Sequence, residues 1–114
     1  MVNVLIEADR VELSGEPEAV DVPRDDGSTQ RIYRCPRCRI ALFSEYTYPA
    51  IWFVRAGTLD EPRGVEPDVH IFTKSKVGWV VIPEGMPAFD VFYDLRKVWP
   101  AASLERLEAI SAQT

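Results

Sequence analysis

Apolar residues recur at every second position along much of this chain, and that period belongs to strands. In "VNVLIE", Val2, Val4 and Ile6 fall on one face; in "IWFVRA", Ile51 and Phe53 oppose Trp52 and Val54. "RVEL", "RIYR", "IALF", "VHIF", "WVVI" and "FDVFY" are further short segments rich in β-branched and aromatic residues, each read as a strand. Turn chemistry separates them. "DDGS" at Asp25–Ser28 carries the Asp-Gly hairpin signal, and "DEPRG" and "PEG" punctuate the remainder. Nine prolines and six glycines, evenly spread, leave little room for long helices, so the fold class is mainly β. One helix is expected near the C-terminus, in "SLERLEAISAQ". There Ser103 stands as N-cap, Glu105 favours the dipole of the first turn, and Leu104, Leu107 and Ile110 share a face.

A length of 114 residues fits one domain with a real core. The expected layout is a β domain over residues 1–98, with a helical extension over 99–114 packed on it. Thirteen basic against eighteen acidic residues give a net charge of −5, which speaks against generic nucleic-acid binding. No apolar run approaches the roughly 20 residues of a membrane span. "MVNVLIEADR" lacks the basic-then-apolar pattern of a signal peptide. The expected location is the cytoplasm, with no membrane partner.

Both cysteines of the chain lie in "YRCPRCRIALF", as Cys35 and Cys38. Cys-x-x-Cys is half of a tetrahedral zinc site, which needs four ligands. The only histidine is His70. A redox role of the thioredoxin type would place the pair at a helix N-terminus within a βαβ unit, whereas the residues that follow here read as a strand. Three readings of the pair stay open. It holds no metal, which is the favoured expectation; it shares zinc across a homodimer; or His70 and a carboxylate complete a site within one chain. His70 itself reads either as a sheet residue with a satisfied ring or as a ligand or proton-carrying group. Arg31, Arg34, Arg37 and Arg39 surround the thiols, and Lys74 and Lys76 follow later. They read as a solvated charged surface, with Arg34, Arg37 and Lys76 the candidates for holding a small anion. The aromatics of "YTYPAIWF" and "GWVV", with Trp52 and Trp79, are candidate walls of a ligand groove as well as packing residues.

Taken in order, "GEPEAV", "RIYRCPRC", "ALF", "VRAGTLDEP", "HIFTKSKVGW" and "IPEGMPAFD" resemble the glutathione-dependent formaldehyde-activating enzyme family, which includes centromere protein V-like domains. The likeness runs from about Val2 to Asp90. It implies a small antiparallel β-tent fold organised by zinc, and a carbon–sulfur lyase activity that joins or separates glutathione and formaldehyde. The family's structural zinc site pairs an upstream Cys-x-Cys with a Cys-x-x-Cys that matches Cys35 and Cys38. Its catalytic site is a Cys-x-Cys-x-x-Cys that would fall before Met1, and no residue here matches it. Where the family favours glycine after the second cysteine, this chain has Arg39, whose side chain is expected to hinder a tight knuckle of backbone N–H groups around sulfur. The expectation is a truncated family member without the usual catalytic zinc site. The alternative is a non-enzymatic module that binds a small anionic thiol such as glutathione, or a partner protein.

Overall fold

The computed structural model describes residues 1–46 and 50–112. They form two compact units, Met1–Val65 and Glu66–Thr114.

The first unit is a five-stranded, wholly antiparallel sheet. Its strands are β1 (Asn3–Glu7), β2 (Glu18–Pro23), β3 (Thr29–Arg34), β4 (Ala41–Glu45) and β5 (Ile51–Arg55). They lie in the order β1-β5-β4-β3-β2. Consecutive strands from β2 to β5 are neighbours, and β1 closes the far edge by pairing with β5 from Asn3↔Arg55 to Glu7↔Ile51. The chain is mainly β, as its alternation predicts. "DDGS" makes the β2–β3 turn: Gly27 takes φ +86°, which glycine adopts without a Cβ clash, and the Arg24 N–H donates to the Ser28 carbonyl at 2.9 Å.

Register assigns the two faces. On one, Tyr33 stacks on Phe43 (centroids 4.5 Å apart), and Phe43 stacks on Trp52 (3.8 Å). The Trp52 indole N–H is satisfied by Glu45 Oε1 at 3.1 Å. This aromatic run across three strands fills one face, and Phe43, Ile51, Val54 and Ala56 are the buried apolar residues among those described. The opposite face carries Asn3, Ser44, Phe53 and Arg55, brought together by the pairs Asn3↔Arg55 and Ser44↔Phe53.

The second unit is built from turns and helices. Segments around His70 and Ala88 meet in one isolated bridge, with the His70 N–H donating to the Pro87 carbonyl and the Phe89 N–H to the His70 carbonyl, both at 2.9 Å. "VHIF" does not extend as a strand, because Phe72 turns into the left-handed region (φ +55°) and Thr73–Ser75 closes a 3-10 turn. "WVVI" has a turn at Trp79 and no strand after it, "FDVFY" bends at Asp90 and Val91, and "RVEL" begins inside the 3-10 turn Ala8–Arg10. Two helices follow, α1 (Leu95–Val98) and α2 (Ala101–Ala112). α1 is capped by Asp94, whose Oδ1 accepts from the Arg96 N–H at 3.0 Å. Ser103 is not the N-cap of α2. The helix starts two residues earlier, directly after Pro100, whose carbonyl accepts from the Ser103 and Leu104 N–H groups. Proline pre-sets its own φ and needs no hydrogen-bond acceptor for its nitrogen, which suits it to a helix start. Leu104, Leu107 and Ile110 are the half-buried positions on one stripe, as their spacing predicts. Gln113, expected in this helix, and Thr47, Tyr48 and Pro49 of "YTYPAIWF" lie outside the described residues.

Candidate functional site

The hairpin between β3 and β4 carries the cysteine pair. A one-residue shift of register after Tyr33 tightens the strand ends, and the Cys35 N–H donates to the Ile40 carbonyl at 2.9 Å. The Arg39 N–H donates to the Cys35 carbonyl at 2.8 Å. Arg39 has φ +66°, the left-handed conformation in which glycine is usual. Its side chain therefore does not prevent the knuckle; the backbone adopts the glycine conformation with arginine in place. The backbone N–H groups of Cys38, and next of Arg37, favour a negative charge on the Cys35 sulfur. With the Cys38 thiol and the Arg37 charge, they hold the Cys35 thiol below its ordinary pKa. Cys38 is exposed, and both cysteines are free thiols.

Zinc, which the family resemblance implies, finds half a coordination shell here. Two sulfurs on a knuckle whose N–H groups stabilise negative charge are suited to two of its four positions. Among the described residues, no group of three His, Cys, Asp or Glu side chains is arranged to hold a metal ion. His70 sits in the second unit, half-buried, at the bridge with Ala88.

The surrounding arginines are not alike. Glu18 accepts from Arg34 Nε at 3.0 Å and also from Arg39 Nη1. The hydrogen bond from Arg34, followed by that from Arg39, holds the Glu18 carboxyl below its ordinary value. Asp21 takes Arg31 in a two-point contact at 2.8 and 3.3 Å and is likewise lowered. Arg37 has no ion pair among the described residues. Lys76 belongs to the second unit, where its Nζ donates to the Val80 carbonyl at 3.0 Å and to that of Val77 at 3.4 Å.

A second polar centre, not singled out from the sequence, lies on the face opposite the aromatic run. Arg55 Nη1 donates to Asn3 Oδ1 at 2.9 Å and to the Phe53 carbonyl at 3.4 Å, and its Nη2 donates to Ser44 Oγ at 3.0 Å. Ser44 is wholly buried. Gln30 Nε2 reaches Ser44 Oγ at 3.2 Å and the Tyr46 hydroxyl at 2.7 Å; the Tyr46 ring meets the Phe53 ring edge-on at 4.6 Å. Every acceptor holding this half-buried guanidinium is neutral, and no carboxylate reaches it among the described residues. Its Nε has no hydrogen-bond acceptor there, which leaves a charged donor for an incoming carboxylate. The signal in the sequence was slight: one arginine, two positions after Phe53, ending an otherwise apolar strand.

The family model for glutathione-dependent formaldehyde-activating enzymes matches residues 1–75. The chain belongs to the glutathione-dependent formaldehyde-activating enzyme family. The matched span contains all five strands, the Cys35/Cys38 knuckle and the Arg55 cluster, and it ends at Ser75. No curated protein and no solved structure matches this family member. Among its described residues, no helix is long and apolar enough to cross a membrane.

Proposed function

We propose that this member of the glutathione-dependent formaldehyde-activating family binds a small anionic thiol, glutathione being the type compound. In this reading residues 1–114 bind the thiol without the family's catalytic metal centre. The observation that carries the reading is Arg55, a half-buried guanidinium held in place by Asn3, Phe53 and Ser44, with no carboxylate partner and no acceptor on its Nε among the described residues. An arginine whose neighbours are all neutral leaves its charge uncompensated, and in a partly desolvated setting a bound carboxylate supplies the missing counter-charge. Gln30 and Tyr46 stand beside it as further polar contacts, and Phe53 offers an apolar wall. The cysteine count supports the second half of the reading. Within residues 1–114 only Cys35 and Cys38 occur, and neither matches the three-cysteine catalytic motif that the family resemblance implies.

Two assays on the purified chain test this. Glutathione is expected to raise the melting temperature of the wild type and to leave that of Arg55→Met unmoved. With glutathione, formaldehyde and added zinc, adduct formation is expected to stay at the uncatalysed rate. A zinc-dependent acceleration would instead support the lyase reading.

A further inference from the structure

The polar face around Arg55 does not end at Ser44. Gln30 Nε2 donates both to the Ser44 hydroxyl (3.2 Å) and to that of Tyr46 (2.7 Å). The Tyr46 oxygen therefore accepts, and its own proton has no acceptor among the described residues. The phenol is held on two sides. Its ring meets Phe53 edge-on at 4.6 Å, and the Arg24 guanidinium lies over it, 5.1 Å from the centroid. Arg24 itself is loosely paired. Its Nη1 donates to Ser28 Oγ at 3.4 Å, and its carboxylate contact among the described residues, with Asp26 Oδ2, is as long as 3.9 Å. The other Asp26 oxygen is taken by the Ser28 N–H and hydroxyl. No acceptor among the described residues reaches Arg24 Nε or Nη2. Tyr46 and Arg24 thus form a second set of free donors with a positive charge, joined to the first by side-chain contacts.

We infer that Tyr46, with Arg24 over its ring, is a specificity-determining residue that holds a second carboxylate, so that the ligand of this face is a thiol with two. The inference rests on the Arg55 reading and adds a second anchor to it. A phenol O–H beside a guanidinium offers a carboxylate one charge-assisted hydrogen bond and one opposite charge. The ring is pinned before the ligand arrives, so little side-chain freedom is left to lose on binding. Contacts of 3.0, 3.2 and 2.7 Å run from Arg55 Nη2 through Ser44 and Gln30 to the Tyr46 hydroxyl. They put the two anchors at most about 9 Å apart, the span of two to three residues of extended chain at roughly 3.4 Å each. A peptide-sized thiol with a carboxylate at each end reaches both anchors. A single amino acid with one carboxylate reaches only Arg55.

Calorimetric titration of the reduced chain with glutathione, which has two carboxylates, and with N-acetylcysteine, which has one, tests it. The wild type is expected to prefer glutathione by about tenfold or more. Tyr46→Phe keeps the ring and its packing, and should narrow that ratio to within about threefold while the circular dichroism stays unchanged. Arg24→Met should narrow it as well, whereas Arg55→Met should weaken both ligands. An unchanged glutathione affinity in Tyr46→Phe, or an equal loss for both ligands, would overturn the inference and leave Arg55 as the sole anchor. Failure of the wild type to bind either thiol would instead sink the Arg55 reading, and the inference with it.

Discussion

The two units of this chain meet the same demand, covering apolar side chains, to very different degrees. The first buries Phe43, Ile51, Val54 and Ala56 and satisfies its buried hydroxyl, Ser44, with two hydrogen bonds. The second, among its described residues, buries none fully, and it leaves Trp79 at 82% and Val81 at 84% exposure. The alternation of "GWVV" looks as strand-like as that of "IWFV". Alternation makes a strand only where a neighbouring backbone accepts the pairing, and β5 has one on each side. Substitutions in the first unit should therefore be costly and those in the second cheap.

The sharpest test of that contrast is a pair of truncations. Phe43→Ala removes the middle ring of the stack and should cost about 3–5 kcal/mol in denaturant unfolding. Trp79→Ala should stay within about 0.5 kcal/mol. Equal losses would break the comparison. Ser44→Ala comes next: it deprives Gln30 and Arg55 of their shared acceptor and should cost about 1–3 kcal/mol by the same measurement. Arg39→Gly should have a smaller effect of opposite sign. Relieving the left-handed arginine should stabilise the hairpin by about 1 kcal/mol, read as a rise in melting temperature. The exposed pair with Glu18 that it forfeits contributes little.

The smallest effect is on acid stability. Glu18 has its pKa lowered on folding, by Arg34 first and Arg39 second, so its contribution is fully present above its ordinary value of 4.5. That contribution is lost as pH falls through the lower folded value. Glu18→Gln should flatten the decline of melting temperature below pH 4.5, and an unchanged slope would mean that the pair does not hold in solution.

Much of the sheet was legible because β1, β3, β4 and β5 carry the period-two signal in apolar and aromatic residues. β2 was not. In "EAVDVP" Val20 and Val22 share their face with Glu18, Asp21 stands between them and the run ends in Pro23, the dress of an edge strand rather than a central one. The knuckle was legible from its spacing, but its backbone was not, because the chain places arginine where the left-handed turn favours glycine. The Arg55 cluster escaped for a different reason. Its members, Asn3, Gln30, Ser44, Tyr46 and Arg55, come from β1, β3, β4, the residue after β4, and β5. Only strand order makes them neighbours.

The most direct test of the binding reading is a titration of the labelled chain with glutathione, followed by two-dimensional NMR of its backbone and arginine side-chain N–H groups. Saturable shifts centred on Arg55, Ser44 and Gln30, and absent in Arg55→Met, are the predicted result. Shifts confined to the Cys35–Cys38 hairpin, or none at millimolar glutathione, would contradict it.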